Sequence, residues 1–377
     1  MTSQYLVIGA GLAGAATAWS LARSGHEVTL VERGRPATRD GSSHGSARIF
    51  RYAYPDPFYA RLVVQARAGF DELEQISGQQ LITPTGSLDF GRDRQPRQLA
   101  SVLEQVGVKH ELLSNAEARG RFPQIATDSE VLWHPGAGVI DAETTVNAMV
   151  AAAAGHGAQV LSEWPVRRVE VAGGGYRVHG DRDSFDTERI VVAAGGWLPT
   201  LLPQLPLPDG YLASLPRLEI SQENAYHFPY REPAETWPTF IHKDPAIQTY
   251  SLPGGRDADF RGQKLAEYNA GRKMTSAADQ DGRIDPANRA RIVAYVEKYL
   301  PGLVAVPYAE TTCLFTNTPT QDFLIDTCNN ITVVSACSGH GAKFAPLLGD
   351  LAADIATGGA AVPDRFRITA HQATGRV

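Results

Sequence analysis

Six residues near the start of the chain, Gly9-Ala10-Gly11-Leu12-Ala13-Gly14, constrain its fold more than any other segment. They end the apolar run QYLVIG at residues 4–9 and open the Ala-rich stretch AATAWSLARSGH, whose apolar residues recur at helical spacing. The β-branched run EVTLVER follows. Strand, glycine turn, helix and second strand within about thirty residues predict a βαβ unit. In such a turn the first glycine allows the tight bend, the second lets a pyrophosphate approach the backbone, and the third lets helix and strand pack closely. An anion then meets the free N–H groups and dipole of a helix N-terminus. Glu32 ends the second strand, 18 residues after Gly14, where an acceptor for a ribose hydroxyl belongs. The pattern predicts a dinucleotide site and leaves NAD and FAD both open.

The chain has 377 residues, which suggests two or three domains. It is 43% apolar and 20% charged, the balance of a globular protein. Lys and Arg number 35 against 41 Asp and Glu, a net charge of −6, which excludes the cationic surplus of a nucleic-acid binder. The three cysteines, Cys313, Cys328 and Cys337, form no CxxC, which argues against a disulfide framework or zinc site. No HExxH or other metal spacing occurs, and no serine elbow supports a hydrolase. Tyr5 to Ala22 is uncharged, but no basic residue precedes it, so it does not read as a secretory leader. Gly375-Arg376-Val377 matches no common address. The expected setting is the cytoplasm, without membrane or nucleic-acid partners.

Residues 56–76, 97–107, 144–154, 285–299 and 347–356 read as helices, and Ser114 with Glu117 fits a capping box. Residues 166–172, 176–180 and 188–195 read as three strands, with further strand signals over 217–251 and at 331–336. The polar, Gly-rich segment 254–282 reads as a loop region. The fold class is α/β, with α/β signals at both ends and in the middle. That predicts a nucleotide domain of residues 1–80, 140–215 and 305–377, with a second domain of residues 81–139 and 216–304 inserted into it twice.

Further motifs carry basic or reactive residues. Ser42-Ser43-His44-Gly45-Ser46-Ala47-Arg48-Ile49-Phe50-Arg51 places Arg48 and Arg51 on one face if helical. Val191-Val192-Ala193-Ala194-Gly195-Gly196-Trp197 is a strand running into a glycine turn. Cys313 lies in Thr311-Thr312-Cys313-Leu314-Phe315-Thr316-Asn317-Thr318-Pro319; alone it reads as a small buried hydrophobe. Ser338-Gly339-His340-Gly341-Ala342-Lys343-Phe344 is a second Gly-rich strand-to-helix turn, open to close approach by a ligand. Lys264 alone reads as a surface lysine.

These motifs, in this order and spacing, resemble the monomeric sarcosine oxidase and N-methyltryptophan oxidase family within the D-amino-acid-oxidase superfamily. The resemblance runs over nearly the whole chain. It implies a two-domain flavoprotein, with a Rossmann-like FAD-binding domain and an antiparallel-sheet substrate domain. Gly9, Gly11, Gly14, Glu32 and Arg33 would hold the ADP half of FAD, with Val169 beside the adenine. Ser43, His44 and Arg48 would lie against the isoalloxazine, and Gly339, Gly341 and Lys343 would also bind the cofactor. Cys313 would form a thioether to the flavin 8α-methyl. Lys264 would stand near flavin N5 and speed the reaction with oxygen, in a catalytic set with Arg48 and His44. Arg51 and Lys343 would clamp the substrate carboxylate, and Tyr250 would line the substrate cavity.

The sequence departs from the family at Phe315, where sarcosine oxidase has tyrosine. It departs again in a longer stretch between Tyr250 and Lys264, and in LAEYNAG after Lys264, which lacks the family's histidine. The implied activity is oxidation of a secondary or cyclic amino acid by hydride transfer, giving an imine and hydrogen peroxide, with molecular oxygen as acceptor and the protein as a monomer. An imino-acid oxidase of secondary metabolism, or an amine dehydrogenase with a non-oxygen acceptor, is the alternative.

Overall fold

The computed structural model describes residues 2–232 and 236–373. Gly375-Arg376-Val377 therefore lies outside the described residues. Strand Thr2–Ile8, helix Leu12–Arg23 and strand Val28–Val31 form the expected βαβ unit. The two strands pair in parallel, with Tyr5 opposite Val28 and Ile8 opposite Val31. They sit in an eight-stranded sheet. Its order runs Arg168–Ala172, Gly175–His179, Ser184–Val192, Thr2–Ile8, Val28–Val31, Gln159–Leu161. The strand Ser184–Val192 pairs along its first half with the antiparallel hairpin and along its second half, in parallel, with Ile331–Ser335. Its parallel neighbours are buried on both faces, which is why LVI, TLV and IVV read as continuous apolar runs. Helices Leu12–Arg23, Ala142–Gly155 and Ala345–Thr357 cover one face. Their alanines and Leu351, Leu348 and Met149 join Tyr5, Val7 and Leu30 in one core.

A nine-stranded, mostly antiparallel sheet forms the second layer, with Gly262–Glu267 between Glu219–Pro229 and Ile247–Pro253. Thr239–Asp244 pairs with Ile247–Pro253 on one side and, in parallel, with Ser87–Phe90 on the other. Its outer face packs on helix Pro286–Tyr299 through Ile292, Tyr295 and Val296, against Tyr226, Phe240 and Leu265. A three-stranded sheet of Arg48–Phe50, Gly138–Ile140 and Ile82–Pro84 lies apart from the other two.

Two expectations need correction. The presumed loop 254–282 contains Gly262–Glu267, an interior strand of the nine-stranded sheet, and Arg272–Met274 at its edge. Its polar letters conceal it, because Gln263 and Lys264 are buried by neighbours distant in sequence. Arg48 and Arg51 are not on a helix; Arg48 opens a three-residue strand and Arg51 lies just beyond it. Arg48–Phe50 and Ile82–Pro84 share one small sheet, and Ala309–Asn317 runs antiparallel along Glu219–Pro229, so the chain after residue 305 contributes to both large sheets.

Candidate active site

The turn after the first strand is shaped by contacts that only glycine permits. Gly9 has φ +101°, and a Cβ on Gly14 would stand 1.8 Å from the Gly9 carbonyl oxygen. The N–H of Ala10 donates to Glu32 Oε2 at 2.7 Å and that of Gly34 to Glu32 Oε1 at 3.0 Å, so the buried carboxylate ties the turn to the end of the second strand. The Leu12 N–H, at the start of the helix, donates to Ser43 Oγ at 3.0 Å. Arg33 stacks over the Trp197 ring at 4.1 Å and pairs with Asp40.

From this turn a cavity of about 1040 Å³ runs between the two large sheets. That exceeds the roughly 300–1,000 Å³ of ordinary small-molecule sites. Gly9, Gly11, Glu32, Arg33 and Ser43 line it at one end; Arg48, Tyr250, Lys264 and Cys313 line its middle; Arg51, Gly339, Gly341 and Lys343 line it further on. Of the residues singled out in the sequence, Gly14, His44 and Val169 do not line it. Gly14 packs under the turn. Val169 is buried in a core with Leu6, Ile190 and Val192. Trp164, Pro165, Val166 and Arg167, just ahead of its strand, line the cavity. The His44 Nδ1–H donates to the Gly41 carbonyl at 2.8 Å. Burial first, then Arg48, lowers His44 to about 4, so it is neutral near pH 7.

The nine-stranded sheet forms one wall. Ile241 and Lys243 line the cavity from one strand, Gln248, Thr249, Tyr250 and Leu252 from the next, and Lys264 from the third. Cross-strand register sets Lys264 opposite Leu252, Tyr250 opposite Ile241, and Lys243 opposite Gln248. Cys313 and Phe315, two apart on Ala309–Asn317, face the same space.

The wall is cationic although the chain is acidic. Lys264 is only 5% exposed, and its Nζ donates to the Ala47 carbonyl at 3.4 Å. Burial first and the Arg48 guanidinium second lower Lys264 to about 8. Arg48 donates to the carbonyls of Ala47 and Ser42 at 3.0 and 3.1 Å. The Cys313 thiol is raised by burial and held back by Arg48 and Lys264. Lys343 donates to the His340 carbonyl at 2.7 Å. Burial, and after it Arg51, pushes Lys343 well below the usual lysine range. A carboxylate placed between Arg51 and Lys343 would relieve that repulsion.

Sequence reasoning missed several residues here. Arg94 lines the cavity, 4% exposed, and forms a buried ion pair with Asp89 at 2.5 Å. Asp89 also meets His134 Nε2 at 3.1 Å. Lys243 and Tyr268 line the cavity, with Lys243 Nζ 5.7 Å from the Tyr268 ring. The Tyr54 hydroxyl is 3.0 Å from His340 Nδ1, and Arg51 sits over the Tyr54 ring at 4.6 Å. Asp257 hydrogen-bonds Ser46 and lies beside Lys264. None belongs to a local motif; each enters the site through pairing with distant chain.

These residues fit FAD. The Gly9–Gly14 cradle leaves no room for a Cβ, the helix start is suited to a pyrophosphate, and Glu32 lines the cavity at the end of the second strand, where it could accept from a ribose hydroxyl. Among the described residues no group of His, Cys, Asp and Glu could hold a metal, and no helix is long and apolar enough to cross a membrane.

Known proteins agree with this arrangement. The chain is 30% identical over 375 residues to monomeric sarcosine oxidase of Streptomyces avermitilis, covering 95% of this chain and 94% of that one. It is 29% identical over 364 residues to N-methyl-L-tryptophan oxidase of Yersinia pestis, covering 94% of each. Among solved structures it resembles the open form of NikD, an unusual amino acid oxidase essential for nikkomycin biosynthesis. The TM-score is 0.84 at 22% identity, over 98% of this chain and 97% of that one, and this shows the fold. The profile of the DAO family of FAD-dependent oxidoreductases matches residues 4–355. With the glycine cradle, Glu32 and the cavity all inside that span, the chain belongs to the DAO family of FAD-dependent oxidoreductases.

Proposed function

We propose that this protein is an FAD-dependent oxidase of a secondary or cyclic amino acid, releasing an imine and hydrogen peroxide. The observation that carries the reading is that one cavity is lined by Arg51 and Lys343, suited to a carboxylate, and by Arg48, Lys264 and Cys313. Bound FAD supplies the electron sink for a hydride from the carbon beside the amine nitrogen.

This chain's residues do the rest. Gly9, Gly11, Glu32 and Arg33 hold the ADP half. Cys313 Sγ is the proposed point of covalent attachment at the flavin end. Arg51 and Lys343 clamp the substrate carboxylate, which fixes the reacting carbon at one distance and angle. The same cations disfavour a second positive charge nearby, so they help the substrate amine lose its proton, and only a neutral amine can release hydride. Arg48 and Lys264 meet negative charge as it develops at the flavin end. Tyr250, Ile241 and Leu252 exclude water from the reacting carbon. Oxygen as acceptor, a cytoplasmic setting, a monomeric state and a division of the chain into FAD and substrate domains belong to the same proposal.

The test is amine-dependent peroxide production in air, together with anaerobic bleaching of the flavin. A panel of N-methyl amino acids, proline and pipecolate should contain at least one compound that does both. Bleaching that needs a dye rather than oxygen for turnover would point instead to a dehydrogenase.

A further inference from the structure

Beyond Arg48 and Lys264 the cavity is lined by five cations: Arg51, Arg94, Lys243, Lys343 and, over the Tyr59 ring, Arg365. Arg94 is matched by Asp89 at 2.5 Å, and Arg365 by Asp56 at 2.6 Å and Asp322 at 2.8 Å. Among the described residues no carboxylate lies within 4.0 Å of the side-chain nitrogens of Arg51, Lys243 or Lys343. One substrate carboxylate held by Arg51 and Lys343 still leaves Lys243 unmatched. Lys243 is partly buried, lines the cavity from the same strand as Ile241, and stands opposite Gln248, which lines the same space. The Tyr268 ring flanks it at 5.7 Å. Arg94 and then Arg51 act electrostatically on Lys243, and Arg51 acts on Lys343 as well. A partly desolvated, unpaired lysine beside two guanidiniums is costly to maintain unless an anion comes to it.

We infer that the substrate is a dicarboxylic secondary amino acid, with Arg51 and Lys343 holding one carboxylate and Lys243, assisted by Gln248, holding the other. This rests on the amino-acid oxidase reading above and specifies its substrate class. Lys243 is then the residue that sets specificity for an acidic group.

The test is calorimetric titration of the FAD-loaded protein with non-oxidisable ethers that replace the amine nitrogen by oxygen. Oxydiacetate is compared with methoxyacetate, and 2-methoxysuccinate with 2-methoxypropanoate. In at least one pair the dicarboxylate should bind roughly tenfold tighter or more, the size of a charge-assisted contact. Lys243→Met and Lys243→Gln should bring that ratio to within about threefold of unity, and Lys243→Arg should retain it. Wild type that prefers neither dicarboxylate overturns the inference, as does a preference that survives both neutral variants. The wild-type comparison stands even where a variant does not fold. If the dicarboxylate preference holds while no secondary amine bleaches the flavin, the oxidase reading fails and the assignment of Lys243 stands.

Discussion

Arg51 and Arg94 donate hydrogen bonds to one carbonyl oxygen, that of Ala53. Two guanidiniums converging on one acceptor repel each other, and only Arg94 carries a counter-charge. Asp89 accepts from Arg94 Nε at 2.6 Å and lies fully buried between Arg94 and His134. Arg94 is thereby a fixed strut beside Arg51, and Arg51 remains available to an incoming carboxylate.

Replacing the anion of that pair should be felt as stability. Asp89→Asn leaves a buried guanidinium without its partner, and removing one member of a buried pair costs about 3–5 kcal/mol. Urea unfolding should show a lower midpoint at an unchanged slope. A loss under 1 kcal/mol would mean that Arg94 finds another partner.

Arg51→Ala should weaken substrate binding about 10- to 150-fold, the equivalent of roughly 1.5–3 kcal/mol for a charge-assisted bidentate contact. Decarboxylated amines, with nothing to lose at this position, should change little. Equal losses for acids and amines, measured by anaerobic flavin reduction, would remove Arg51 from the carboxylate clamp.

Covalent attachment makes a simple prediction at Cys313. Acid precipitation should carry the yellow colour into the pellet, and Cys313→Ala should release it to the supernatant. Cys328 and Cys337 should be dispensable. A colourless wild-type pellet rejects the linkage.

Lys264 should serve the reaction with oxygen. A fixed ammonium stabilises the charge that appears as oxygen takes its first electron. If that is worth about 4 kcal/mol, Lys264→Met should slow reoxidation on the order of a thousandfold while reduction by substrate changes much less. The pH dependence has a definite sign. Lys264 is charged below about 8 and neutral above it, so reoxidation should slow as pH rises through about 8, and the variant should lose that step. Stopped-flow on both half-reactions decides; reoxidation within about threefold of wild type at every pH would dismiss the role.

Much of the cofactor end was legible in the sequence, because its determinants are local. Gly9, Gly11 and Gly14 shape a turn between adjacent elements, and Glu32 follows at the end of the next strand, so spacing alone places them. Asp285 before Pro286 and Ser114 with Glu117 mark helix starts for the same reason. The proposed substrate end was legible only through resemblance, and then only in part. Lys264 by itself read as a surface residue within a loop, and Arg94 and Lys243 carried no signal. A strand's polar residues reveal neither their burial nor the face they take until neighbours pair with them. Lys264 is buried because His227 and Leu252 lie opposite it on flanking strands, and Lys243 faces the cavity because its register with Gln248 turns it there. Turn chemistry lies within a few consecutive residues, whereas burial, register and the meeting of like charges are set by chain segments far apart in sequence, and these only the tertiary structure decided.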